Sequence, residues 1–115
     1  MKSTEEALCL VYMTAGSIEE SKDLSRILLK KNLVACVNLL ENMTSIYKWK
    51  GELEEGCEVV MIAKTRKSLM PQLIEAVTKH HNYQCPCILE LPIEGGNPEF
   101  LQWIETETER TKESG

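Results

Sequence analysis

Residues 45–65 read SIYKWKGELEEGCEVVMIAKT, and how this stretch folds decides the rest. Two runs rich in strand formers, 45–50 and 57–65, are bracketed by Gly51 and Gly56, so they predict one long hairpin with its turn over 51–56. Side chains alternate along a strand. Tyr47 and Trp49 therefore share a face, as do Val60 and Ile62, while Val59, Met61 and Ala63 point the other way. Both faces are apolar, which suits a hairpin that pairs with further copies of the same chain.

Upstream, residues 7–14 (ALCLVYMT) form an apolar run that predicts a first strand, and Ala15-Gly16 is turn chemistry. Ser17 then opens Ser-Ile-Glu-Glu, a capping box in which Glu20 reaches back to the cap nitrogen. Ile18, Leu24, Ile27 and Leu28 recur at helical spacing, with Glu19, Lys22, Asp23, Arg26 and Lys30 on the wet side and Asn32 as the stop. Residues 33–40 (LVACVNLL) predict a second strand, apolar on both faces. Downstream, Ser68 is placed to cap a helix that tolerates Pro71 in its first turn and carries a Leu69, Leu73, Ala76 and Val77 stripe as far as His80. Residues 85–93 (CPCILELPI) predict a last strand, and Pro86 and Pro92 suggest an edge or a strand end. Asn97-Pro98 caps a third helix through Phe100, Leu101, Trp103 and Ile104.

The order β-α-β-β-α-β-α predicts an α+β fold, a ferredoxin-like sandwich with an added C-terminal helix and a long hairpin between its second and third strands. Two helices cover one sheet face only. The apolar residues left on the other face call for a partner subunit.

At 115 residues the chain is one domain, with an ordered core over about 7–108 and a polar tail over 109–115. Eighteen acidic against thirteen basic residues give a net charge of -5, which argues against nucleic acid and membrane partners. Residues 1–6 carry neither a secretory nor a transit pattern, so a cytoplasmic address is expected. Five cysteines, an odd number without framework spacing, are expected to be reduced thiols.

Several short pieces occur in order along the chain: Ala35-Cys-Val-Asn38, Ser45-Ile-Tyr-Lys-Trp-Lys-Gly51, Lys64-Thr65, His81-Asn-Tyr83, Pro86 and Phe100-Leu-Gln-Trp103. Together they resemble the CutA family, named for divalent-cation tolerance. The resemblance implies a homotrimer of ferredoxin-like subunits joined through their hairpins, with an architecture similar to the PII signalling proteins. It also implies binding of copper or another divalent metal without an established reaction and, in animals, a part in anchoring or maturing acetylcholinesterase. Where relatives read His-Pro-Tyr-Glu, one residue, then Pro-Glu, this chain has Asn82, Gln84 and Cys87 in place of the proline and the two acids.

The candidate chemistry is thiol chemistry. Cys36 shares a strand face with Asn38, and is read either as a metal ligand or as a small buried packing residue. Cys85-Pro-Cys87, with His81 shortly before, puts two sulfurs on one strand face at about 7 Å between Cα atoms, too wide for a comfortable disulfide. Thiolate and imidazole favour Cu(I) or Zn(II) over harder ions. The competing reading of His80 and His81 is a helix C-terminus. Asn38, Trp49, Lys64 and Tyr83 are the candidates for a ligand cleft. Tyr47, Trp49, Gly51, Val60, Ile62 and Trp103 are the candidate trimer-interface anchors. No nucleophile triad, phosphate loop or HExxH helix is present, so no enzymatic activity is expected. The rival expectation is a PII-like signalling or scaffold module, with a small ligand or client protein held in clefts between subunits.

Overall fold

Strand-forming Leu, Val, Tyr and Met dominate Leu8–Ala15, which forms β1, an interior strand of the sheet. The computed structural model describes residues 6–81 and 85–109. After β1 come α1 (Ile18–Lys30), β2 (Cys36–Trp49), β3 (Glu52–Arg66), a 3-10 turn (Lys67–Leu69), α2 (Met70–His80), β4 (Ile88–Ile93) and α3 (Pro98–Glu107). The sheet order is β2-β3-β1-β4, antiparallel throughout, which is the ferredoxin-like α+β arrangement. As the prolines suggested, β4 is an edge.

The caps explain where the helices begin and end. Ser17 Oγ accepts from the Glu20 amide at 3.1 Å, while Glu20 Oε1 accepts from the Gly16 amide at 3.2 Å, one residue earlier than the expected cap nitrogen. At the other end Asn32 takes a left-handed φ of 59°, and its amide and that of Leu33 close back on the Leu29 and Leu28 carbonyls. Asn97 Oδ1 caps α3 through the Glu99 amide at 3.0 Å. Ser68 does not cap α2. It lies inside the 3-10 turn and its hydroxyl donates to Glu6 Oε2 at 3.0 Å.

The hairpin is longer and its turn tighter than expected. Residues 33–35 are buried before the strand begins, and the arms predicted over 33–40 and 45–50 are one strand, β2. The predicted turn over 51–56 shrinks to Lys50 and Gly51, at φ 52° and 86°, so Glu52 through Gly56 already belong to β3. Positive φ at both central residues makes this a two-residue turn of the type that matches strand twist. One β-bulge interrupts the pairing, because Leu40 faces Val60 and Met43 faces Glu58. The last strand also starts later than expected, at Ile88, leaving Cys85 and Cys87 in the segment before it.

One sheet face packs Cys9, Val11 and Met13 of β1 and Met61 and Ala63 of β3 against Leu24 and Leu28 of α1 and Leu73 and Val77 of α2. Each fully buried aliphatic side chain there is worth about 1.5–3 kcal/mol. On the opposite face α3 covers one end, where Ile104 and Leu101 meet Leu8, Ala35 and Ile93. Beyond α3 that face stays open, with Leu40, Leu89 and Leu91 exposed and Leu10, Tyr12 and Ile62 half-buried.

Candidate functional site

The bulge in β2 sets the geometry of the open face. By plain alternation Cys36 and Asn38 would face away from Tyr47 and Trp49. With two β2 residues set against the single Val59, the pairs Cys36–Lys64, Asn38–Ile62, Leu40–Val60, Tyr47–Glu54 and Trp49–Glu52 all fall on the open side.

Two polar groupings lie on this face. The first is on the β2–β3 side of the sheet, where Lys64 Nζ donates to Asn38 Oδ1 beside Cys36. The second is a cleft of about 790 Å³ along the hairpin, walled by Tyr12 and Thr14 of β1, Ser45, Tyr47 and Trp49 of β2, Glu58 of β3, and Cys85 and Cys87. Cys57 borders it. Ser45 Oγ donates to Glu58 Oε1 at 2.7 Å and lies 3.2 Å from Met43 Sδ. Burial, then the Glu58 carboxylate, then Cys85 push the Cys87 thiol above its ordinary value.

The structure therefore brings Cys85 and Cys87 together and leaves the other proposed metal ligands elsewhere. Cys36 begins the opposite edge strand, β2, with β3 and β1 between it and the segment that carries Cys85 and Cys87. The His81 side chain is buried on the helix side. Its Nε2 lies 2.8 Å from the Thr14 carbonyl, an acceptor, so that nitrogen carries the proton, and its Nδ1 lies 3.8 Å from Glu20 Oε2. This histidine ties the end of α2 to β1 and to the start of α1. Among the described residues, no three His, Cys, Asp or Glu side chains are grouped as ligands for one ion.

The ligand-cleft set divides in the same way. Asn38 and Lys64 touch, Trp49 lies eleven residues further along β2 in the thiol cleft, and Tyr83 lies outside the described residues. Of the interface candidates, Tyr47, Trp49, Gly51 and Trp103 are exposed, Ile62 is half-buried and Val60 is covered within the protomer. Lys50 Nζ sits 5.8 Å above the Trp49 ring, and Trp103 pairs with Phe100 at 5.3 Å. Glu58, Ser45 and Tyr12 belong to no motif that marks them as cleft residues. Strand parity alone places Glu58 with Val60 and Ile62, whereas the bulge in β2 decides the face of Ser45.

A ferredoxin-like sandwich with an overlong hairpin and a cysteine-bearing cleft along it defines the class. Comparison with known proteins narrows it: the model of the CutA1 divalent ion tolerance protein family matches residues 9–107, and the chain belongs to that family. It is 42% identical over 104 residues to the mouse protein CutA, covering 90% of this chain and 59% of the mouse protein. It thus spans about three fifths of that animal relative's length. The divalent-cation tolerance protein CutA of Archaeoglobus fulgidus is 40% identical, with 86% of this chain and 96% of the relative covered. The crystal structure of CutA1 from Oryza sativa superposes with a TM-score of 0.88 at 35% identity, covering 92% of this chain and 97% of the rice chain.

Proposed function

We propose that this chain is a non-enzymatic, cytoplasmic homotrimer that takes up a soft metal ion, copper first, through Cys85 and Cys87 in the hairpin cleft. The observation that supports this reading is that those two thiols line one concavity in a chain from a divalent ion tolerance family. Thiolates select Cu(I) and Zn(II) over Mg or Ca. Cys36 stands apart as a packing residue of the β2 edge, and His81 as an internal hydrogen-bonding group. All five cysteines are free thiols, which suits a reducing compartment.

The raised Cys87 thiol gives the uptake a pH dependence. A metal must displace its proton, so affinity rises as the pH is raised, by up to about tenfold per unit for each thiol displaced. Calorimetric titration of Cu(I), delivered from a buffering chelator into the reduced protein, tests the assignment. Cys85→Ser/Cys87→Ser is expected to lose about a hundredfold or more in affinity, and Cys36→Ser to keep it. Unchanged affinity in the double variant ends the proposal.

A further inference from the structure

The two thiols of the hairpin cleft are placed to react with each other. Cys85 is exposed, Cys87 is half-buried, one residue separates them, and both line the same concavity. In an extended strand that spacing would hold their Cα atoms about 7 Å apart, at or beyond the usual disulfide range of about 4.4–6.8 Å. The structure takes the pair out of the strand. β4 begins only at Ile88, the chain bends at Cys85, and Pro86 between the two has no amide hydrogen for a ladder and a φ fixed near about −65°. The rise of a polyproline segment alone shortens the Cα separation to about 6 Å, and a bend shortens it further.

The remaining cysteines lie out of reach. Cys9 is fully enclosed in β1, and Cys36 begins β2, with β3 and β1 between it and the pair. Cys57 borders the cleft, but strand parity turns its side chain to the face of β3 opposite Glu58. An exposed dithiol that closes into a small ring gives the labile class of disulfide, which small thiols open again.

We propose that Cys85 and Cys87 form a reversible disulfide by exchange with a low-molecular-weight disulfide, and that this bond switches off metal uptake in the cleft. The Cys85 thiolate, the more accessible, attacks one sulfur of the reagent, whose S–S bond breaks and expels one thiolate. The Cys87 thiolate then attacks Cys85 Sγ in the mixed disulfide, forming the Cys85–Cys87 bond and expelling the second thiolate. Two electrons pass from the protein to the reagent, and the two protons given up by the cysteines end on the two small thiols. The bond needs only the geometry of the pair. The switch rests on the assignment of the metal to this cleft, because the bond consumes both sulfur ligands.

The test equilibrates the full chain, reduced and metal-free, with oxidised and reduced glutathione at a series of ratios, then alkylates it in denaturant and maps it by mass spectrometry. Expected are a loss of two hydrogen atoms, a Cys85–Cys87 link, alkylated Cys9, Cys36 and Cys57, and reversal by excess reduced glutathione. Anaerobic titration of the linked form with Cu(I) from a buffering chelator should show an affinity about a hundredfold or more below that of the reduced form. Cys57→Ser should leave both results unchanged. A link through Cys57, a lasting mixed disulfide or no link at all overturns the proposal, whatever the affinity of the reduced protein for Cu(I). Undiminished Cu(I) affinity in the linked form overturns the switch. A reduced protein that fails to bind Cu(I) removes the metal assignment and the switch with it, and the mapped link then reports on the bond separately.

Discussion

Cys9 illustrates how much one buried thiol can reveal. It is fully enclosed in β1, and burial first, with the Glu90 carboxylate second and Lys67 opposing, pushes its thiol from 9.0 up to about 11. Between those values the unfolded chain loses this proton and the folded chain keeps it. Folding stability therefore falls as pH rises across that window, by up to about 1.4 kcal/mol per unit and some 2–3 kcal/mol in all. Urea unfolding of the wild type and Cys9→Ala from pH 8 to 11 checks this. The variant should start lower because of its small cavity but decline less steeply, and parallel declines would refute the assignment. The Ser17 and Asn97 caps were legible in the sequence because each bonds to amides within three residues. The role of His81 was not, since its partner Thr14 is 67 residues away.

At the scale of elements the hairpin decides most. Its turn places Lys50 at φ 52°, a left-handed conformation that costs a side-chain-bearing residue about 1–2 kcal/mol unless, like Asn, it tolerates that region. Lys50→Asn would make the turn Asn-Gly, the favoured pair for this geometry, and should raise stability by about 0.5–1 kcal/mol in denaturant unfolding. No gain would mean that the turn is wider in solution, as the glycine-bracketed sequence first suggested. The bulge is of equal weight, and Asn42 within it takes a φ of 64°. It puts Cys36, Asn38, Tyr47 and Trp49 on one side of a strand whose letters alone alternate them.

For the whole molecule the open sheet face is the dominant feature. Leu89 and Leu91 of the edge strand are 57% and 45% exposed, and Leu40 across the sheet is 55% exposed. Single exposed leucines need no explanation, but an apolar sheet face continuous with a projecting hairpin does. Self-association through that face is the expected use. Light scattering should give three times the chain mass of 13.1 kDa, and Leu89→Asp/Leu91→Asp should return it to one chain. A wild-type protein of single-chain mass would remove the trimer.

The sequence by itself determined the element order, the Ser17 and Asn97 caps, the two-helix face and the family, since each rests on periodicity or on groups close along the chain. Residues 45–65 were legible as a hairpin for the same reason. The tertiary structure decided the length of that hairpin, the burial of His81 against Thr14, and which thiols meet. Those depend on a bulge and on strand register, where a shift of one residue turns every side chain to the other face. Cys85 and Cys87 come to lie beside Glu58, far along the chain, and Cys36 does not, because register rather than spacing sets the distances across a sheet.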